Sequence, residues 1–460
     1  LAEKLYRCLP PTGQDLAVTA FNLQYYRRRG GEYARRKAFH SELYAASPLR
    51  LSEVQTAMLK EILAHTHRHS RYYKELWGAI DVSGIRAVGD LRILPMVTKE
   101  DLRSNVRTIA TVEPGRAYVS HTGGTTGKSL EVYFTWPDVQ ERMAVLDSFR
   151  EREGWRLGKR TAWFSGKTIL TSRDERARRF WKTDRWFNIR YYSTFHLSQT
   201  NIPAYLDNLD EFKPEYFSGF ASNMFALADY ARRNGRKLRC APQAVFTTAE
   251  TLVPEQTRVI EEAFRTKVFD QYASSEGAPF IVQCAFRKYH FLPATGVIEL
   301  LDESGEPAQE GEAVITSFHS HGTPLVRYRI GDAMRWGAPV EEACACGSWC
   351  PIVESIQGRV LDCLYSRERG RINLGNVSNC VKHTPNIRQF QAVQAAVDAV
   401  DVSLVVDREG YTNAEEATFL RELRDRLGER IEIRLHYVDE IPRERSGKVR
   451  IVKNSVPADE

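Results

Sequence analysis

No stretch of this 460-residue chain reaches the 18 or so uninterrupted apolar residues that cross a bilayer, so no membrane span is expected. An N-terminal charged-then-apolar export signal is also missing. The chain opens on Leu1, from which we expect the native start to lie upstream. Charge of one sign is scarce. Basic residues number 65 and acidic residues 59, a balance of +6 that is small for this length. The basic runs at 25–37 and 171–185 lack the interleaved aromatics and glycines of a nucleic-acid module. They read as solvated helix faces, and no nucleic-acid partner is expected. Cysteine is too thin for a secreted disulfide scaffold, with eight spread over the chain. A reducing cytoplasm fits better, and clustered cysteines there point to metal. There is no internal repeat and no low-complexity segment. A monomer or homodimer is expected.

What is present is the composition of a globular protein, 42% hydrophobic and 27% charged. The length exceeds what one core usually serves, so more than one domain is expected. The first 110 or so residues read as helical. Ser52 with Gln55 three places on looks like a capping box, followed by Val54, Met58, Leu59, Ile62 and Leu63 at helical spacing. His65 and His69, one turn apart, read as a solvated helix end that suits the dipole. From Arg116 to about Gln357, short strands alternate with helices, which predicts an α/β body. The tail differs. Two strands, 387–394 and 401–407, precede a helix capped by Asn413 with Glu416. Phe419, Leu420, Leu423 and Leu427 form its apolar stripe, Gly428 stops it, and Ile431–Val438 follows as a strand. The boundary of this small unit is placed near Gly358, giving domains 1–357 and 358–460.

Between two strand-like stretches lies "SHTGGTTGKSL" (Ser120–Leu130). Gly127-Lys128-Ser129 fits the end of the common phosphate loop, but Thr122 stands where its first glycine belongs. Gly123, Gly124 and Gly127 can turn N–H groups toward an anion. Thr122, Thr125 and Thr126 offer hydroxyls, and Lys128 a charge. A Gly/Thr hairpin with no ligand is the plain alternative. Further on, "QYASSEG" carries Glu276 at a strand end and "PLVRYRIGD" ends in Asp332. "GRVLD" offers Arg359 and Asp362, and "RERSGKVR" offers Lys448. Each alone is an ordinary cap, turn or solvated lysine.

In this order and at these separations, the five stretches resemble the adenylate-forming superfamily of acyl-CoA synthetases and acid ligases. The likeness is to the phenylacetate–CoA ligase-like branch, including its capsule-biosynthesis-associated members, and runs from about Ala20 to Val452. The resemblance implies an α/β fold with a large N-terminal adenylate-forming domain of mixed sheets and helices. A small mobile α+β C-terminal domain follows, hinged near Asp362. It implies that Thr122–Lys128 holds the ATP phosphates and that Ala249 and Glu250 flank the adenine. Tyr272 would stack on adenine, Ser275 touch the α-phosphate and Glu276 hold Mg²⁺. Asp332 and Arg359 would bind the ribose, and Lys448 would reach the substrate carboxylate. Ala273 and Ser275 depart from the common Gly and Thr, the latter keeping its hydroxyl, and His121 stands where a small hydroxyl residue is frequent.

The implied activity is ATP-dependent formation of an acyl-adenylate with loss of pyrophosphate. Transfer to a thiol follows, with coenzyme A expected. Positioned cations and N–H donors suit a barrier dominated by repulsion between anions. A hard oxygen such as that of Glu276 suits Mg²⁺. The partners are a small carboxylic acid and an acyl acceptor, and an amine acceptor or a catalytically silent zinc-bearing scaffold are the rivals. The acid pocket is expected around Phe195, His196, Phe217, Gly219, Phe220, Ser222 and Asn223, whose aromatics hint at an aryl acid. Cys284 with His290, and Cys344 with Cys346, are two short pairs able to make a four-ligand Zn²⁺ site, Cys350 being left over. Members of this branch resemble the chain in carrying such pairs. Reduced cysteines packed as small apolar residues are the alternative.

Overall fold

The computed structural model describes residues 2–121, 130–166, 169–359, 363–373, 377, 379–381, 383–444 and 449–456, with backbone alone at 2–4, 165, 359, 371, 373 and 379. The chain begins with helices. Pro11–Asn22, Tyr33–Leu43, Pro48–His69 and Lys99–Ile109 are the longer ones, and the first described strand is Tyr118–His121. Pro48–His69 starts earlier than Ser52. Pro48 takes the first helical position, where its fixed φ costs nothing, and the Ser47 hydroxyl accepts from Arg50 N. Gln55 is therefore no capping partner. Its side chain donates to the Gly296 carbonyl at 2.8 Å, tying the helix to the sheet. The end of this helix is not simply solvated either, since the His65 ring packs 4.8 Å from that of His321.

Among the described residues the body is one twelve-stranded mixed sheet. Its five parallel strands lie in the order Ile189–Ser193, Thr161–Ser165, Tyr216–Gly219, Ala244–Thr248, Lys267–Tyr272. These strands are buried on both faces, so their side chains alternate between two apolar layers rather than between core and water. Phe217, Val245 and Val268 pack with Leu227, Ile260 and Phe264 of the returning helices. Their neighbours Tyr216, Phe246 and Phe269 pack on the other face with Leu51, Val54 and Phe149. An antiparallel half continues through Ile281–Gln283, Tyr289–Phe291, Ile352–Arg359, Tyr328–Trp336, Glu310–Ser317 and Gly296–Leu301. Among the described residues no helix is long and apolar enough to cross a membrane.

The last strand of this sheet ends at Arg359, and Cys363–Ser366 begins a separate hairpin with Gly370–Asn373. Beyond it, Ile387–Ala396, Ala399–Val406, Glu432–Tyr437 and Val452–Asn454 form a four-stranded sheet with its own apolar cluster. Helix Asn413–Leu427 buries Phe419, Leu423 and Leu427 against it. Its cap is Thr412 with Glu415, one residue ahead of the Asn413–Glu416 pair expected. Tertiary structure decides the register, because the Glu415 carboxylate also accepts from the Asn386 side chain at 3.1 Å.

Candidate functional site

The parallel strands end at a cleft of about 790 Å³ whose far wall is the small C-terminal sheet. Strand ends of this kind are where open α/β sheets place ligands. Tyr216–Gly219 ends so close to its neighbour that a Cβ on Gly219, at φ +154°, would sit 2.3 Å from Phe164 O. Only glycine fits there. Ala249 follows the next strand with φ +67°, a strained conformation for a residue with a side chain, and lines the cleft. Glu250 lines it as well. Its carboxylate accepts from Ser222 N at 2.8 Å and Ser222 Oγ at 3.0 Å, at the start of helix Ala221–Arg233. A carboxylate suits the positive end of that helix.

Strand Lys267–Tyr272 delivers the next group. Tyr272 Oη donates to Asp332 Oδ2 at 2.6 Å, joining residues sixty apart in sequence. Asp332 stands on Tyr328–Trp336 opposite Arg359 in the ladder. One residue before the end of the parallel strands' common edge sits Asp270, held by the Thr247 and Tyr289 hydroxyls at 2.7 and 3.0 Å. Burial pushes its carboxyl up to about 6 against these donors. The loop after Tyr272 carries Ser275 and Glu276. Ser274 Oγ accepts from Gly277 N and Ala278 N, and the buried Arg142 guanidinium donates to Ser274 O and Ala278 O. Glu276 is 2% exposed, and Lys99 Nζ lies 3.2 Å from its Oε1. An oxygen already paired with a cation is electrostatically prepared to hold one.

The structure thus brings Ala249, Glu250, Tyr272, Ser275, Glu276 and Asp332 to one cleft, with Phe220 and Ser222 on its wall. Asn223 is buried beside it and accepts from Arg443 of the C-terminal part at 2.8 Å. Phe195 and His196 stand outside the cleft lining. His196 engages Ser193 Oγ at 2.8 Å and Glu175 at 3.2 Å. Thr122, Gly123, Gly124, Thr125, Thr126, Gly127, Lys128, Asp362 and Lys448 lie outside the described residues, as does the Arg359 side chain. Reading the sequence missed Lys99, Arg142, Asp270 and Arg443. Lys99 follows a capping Thr98 and Arg142 sits mid-helix, so neither carries a local signal.

A second cluster lies behind the sheet. Donor atoms of Cys284, His290, Cys344 and Cys346 all fall within 4.8 Å of one another. The hairpin of Ile281–Gln283 and Tyr289–Phe291 supplies the first two, and the loop before Ile352 supplies the cysteines. His290 Nδ1 donates to Cys350 O at 3.1 Å, which leaves Nε2 facing Cys346 Sγ at 3.4 Å. That backbone bond fixes the tautomer a ligand needs. Burial pushes the Cys284 thiol up to about 11. At Cys346 burial acts the same way, but hydrogen bonds, Tyr44 foremost, outweigh it and lower the thiol. Three sulfurs and one imidazole nitrogen match, in number and softness, the donors of a closed tetrahedral site.

A family model described as the CapK C-terminal domain matches residues 364–455. Over 416 residues the chain is 31% identical to Protein CapK of Staphylococcus aureus, covering 88% of this chain and 90% of that protein. The chain belongs to the CapK family. It is also 26% identical over 330 residues to the phenylacetate-coenzyme A ligase of Pseudomonas putida, covering 65% of this chain and 70% of that one. The fold matches a solved 2-hydroxyisobutyryl-CoA ligase in its postadenylation state, with TM-score 0.71 and 18% identity over 90% of this chain and 91% of that one. Family and fold together set this CapK relative in the phenylacetate–CoA ligase-like branch of the adenylate-forming superfamily.

Proposed function

We propose that the chain joins a carboxylic acid to AMP and then passes the acyl group to the thiol of coenzyme A. In the first step a carboxylate oxygen attacks the α-phosphorus of ATP, and the bond to the bridging oxygen breaks to release pyrophosphate. In the second, sulfur attacks the acyl carbon, the bond to AMP breaks, and the thiol proton leaves. The observation that supports this reading is the convergence of Tyr272, Ser275, Glu276 and Asp332 on one cleft from separate parts of the sheet.

The placement of these residues supports the following roles. Asp332, oriented by the Tyr272 hydroxyl, accepts from ribose hydroxyls, and the Tyr272 ring offers the adenine a face. Ser275 donates to the α-phosphate. Glu276, buried and already beside a cation, would hold Mg²⁺, which supplies neutralisation of phosphate charge. The acid is assigned to the wall of Phe220 and Ser222. Residues 358–460 act as a lid turning near Asp362, and Lys448 is the cation it delivers to the carboxylate. Contacts of Arg443 with Asn223 and of Arg233 with Asp407, at 2.8 Å each, tie the C-terminal part to helix Ala221–Arg233. The Cys284, His290, Cys344 and Cys346 cluster is assigned to a structural Zn²⁺, closed by four protein ligands.

Pyrophosphate release across a panel of carboxylic acids, with and without coenzyme A, tests the reading. Release that leads to thioester with coenzyme A is expected. Product only with an amine would redirect the second step, and no release with any acid would remove the first.

A further inference from the structure

A third cluster is used neither by the cleft nor by the cysteine site. His40 lies in the last turn of helix Tyr33–Leu43, Glu141 lies in Trp136–Glu151, and His319 follows strand Glu310–Ser317. All three are buried, and one donor atom from each falls within 4.8 Å of the others. His40 Nε2 and Glu141 Oε1 are 2.6 Å apart, and Arg36 Nε takes the other Glu141 oxygen at 3.0 Å. His319 Nε2 is enclosed and has no hydrogen-bond partner among the described residues. With a relative exposure of 3%, that ring meets no bulk water.

A buried polar atom without a partner is rare in a folded chain and calls for one. We propose that His40, Glu141 and His319 form a second metal site, which takes a divalent first-row transition ion such as zinc through two imidazole nitrogens and one carboxylate oxygen. Neutral imidazole is the form that ligates, and burial keeps His319 neutral. Arg36 neutralises the non-ligating oxygen of Glu141 and leaves Oε1 for the ion. The three donors come from two helices and a loop, so loading would pin three segments at one point. Metal–donor bonds of about 2.0–2.2 Å lie within reach of donors this close. The His40–Glu141 contact is a hydrogen bond in the metal-free arrangement, and the proton they share leaves to solvent when the ion enters.

The site has a structural consequence for the cleft. Glu141 is followed directly by Arg142, whose guanidinium holds the carbonyls of Ser274 and Ala278 on either side of Glu276. An ion at Glu141 therefore steadies the helix that carries this clamp.

Metal content decides the matter without reference to activity. The full-length chain is freed of loose metal, measured for zinc, and then stripped and reloaded with cobalt(II) to read its spectrum. We expect roughly two equivalents in the wild type, and roughly one in both His319→Gln and His40→Gln. The cobalt bound in these variants keeps its thiolate charge-transfer absorption, since the cysteine cluster is intact. In Cys344→Ser the remaining cobalt shows only weak ligand-field bands of a nitrogen and oxygen site. The wild-type count and spectrum are read on unmodified protein, so an unfolded variant does not spoil the test. A wild type whose bound metal is all thiolate-ligated, at one equivalent that both histidine variants retain, overturns the proposal.

Discussion

Lys99 Nζ sits 3.2 Å from the Glu276 carboxylate at the floor of the cleft, an ion pair that joins the first turn of a helix to the loop after the last parallel strand. The pair is half-buried on the lysine side and fully buried on the glutamate side. In the proposed reaction this carboxylate also holds Mg²⁺, so lysine and metal compete for it. Lys99→Met is expected to lower the Mg²⁺ concentration for half-maximal pyrophosphate release severalfold. Glu276→Gln should slow release by roughly 10²–10³-fold, the loss typical of removing one electrostatic contributor. A Lys99→Met protein with an unchanged or higher Mg²⁺ requirement contradicts the competition.

Tyr272 and Asp332 give a second test. Tyr272→Phe keeps the ring proposed to face adenine and removes the hydroxyl that donates to Asp332 at 2.6 Å. A hydrogen bond to a charged group is worth about 1.5–3 kcal/mol, so KM for ATP should rise at least several-fold with a smaller change in kcat. Asp332→Asn should raise it further. Equal KM values in wild type and Tyr272→Phe would show that the hydroxyl does not position the aspartate.

Asp270 makes stability depend on pH. Burial, partly offset by the Thr247 and Tyr289 hydroxyls, raises its pKa to about 6. A carboxyl raised on folding contributes stability that is full below its ordinary pKa near 3.9 and is lost as pH climbs through about 6. The wild type should therefore lose stability relative to Asp270→Asn between about pH 4 and 6, by roughly 1–3 kcal/mol, and hold a constant difference above. Denaturant titrations at several pH values measure this. A difference that is flat across that window, or that grows in favour of the wild type as pH rises, contradicts the assignment.

Local signals carried much of this molecule. The hairpin of Tyr118–His121 and Glu131–Phe134, strand Lys267–Tyr272 and the β-β-α-β run from Ile387 to Tyr437 are all written in side-chain period and turn residues. Helix starts were less legible. Ser52 and Asn413 both look like caps, but Pro48 and the Glu415–Asn386 contact fix the starts at Ser47 and Thr412. The cleft residues that were found announce themselves by motif. Lys99 and Arg142 do not, because each acts through a partner more than 130 residues away, and such pairs have no spacing to read. Glu250 was legible as a nearby residue but not as a helix cap, since its partner Ser222 belongs to another crossover.

The docking of the C-terminal sheet offers a fourth prediction. Arg233 donates to Asp229, to Asp407 and to Pro385 O, and Arg388 also reaches Asp407 at 3.1 Å. These groups are part-exposed, so the cross-body pair is worth about 1 kcal/mol or less. Asp407→Ala should slow adenylation by no more than about fivefold and leave thioester formation from a supplied acyl-adenylate unchanged. A loss in the second step instead would mean that this contact serves the thiol-transfer arrangement.

In the proposed reaction the tail carries a cation to a nucleotide in the body, and separating the two half-reactions of Lys448→Ala tests this most directly. Pyrophosphate release from acid and ATP is measured beside thioester formation from a supplied acyl-adenylate and coenzyme A, with ATP binding followed in parallel. We predict release slowed by roughly 10²-fold or more, with ATP binding and thioester formation close to wild type. Release at the wild-type rate would contradict the account.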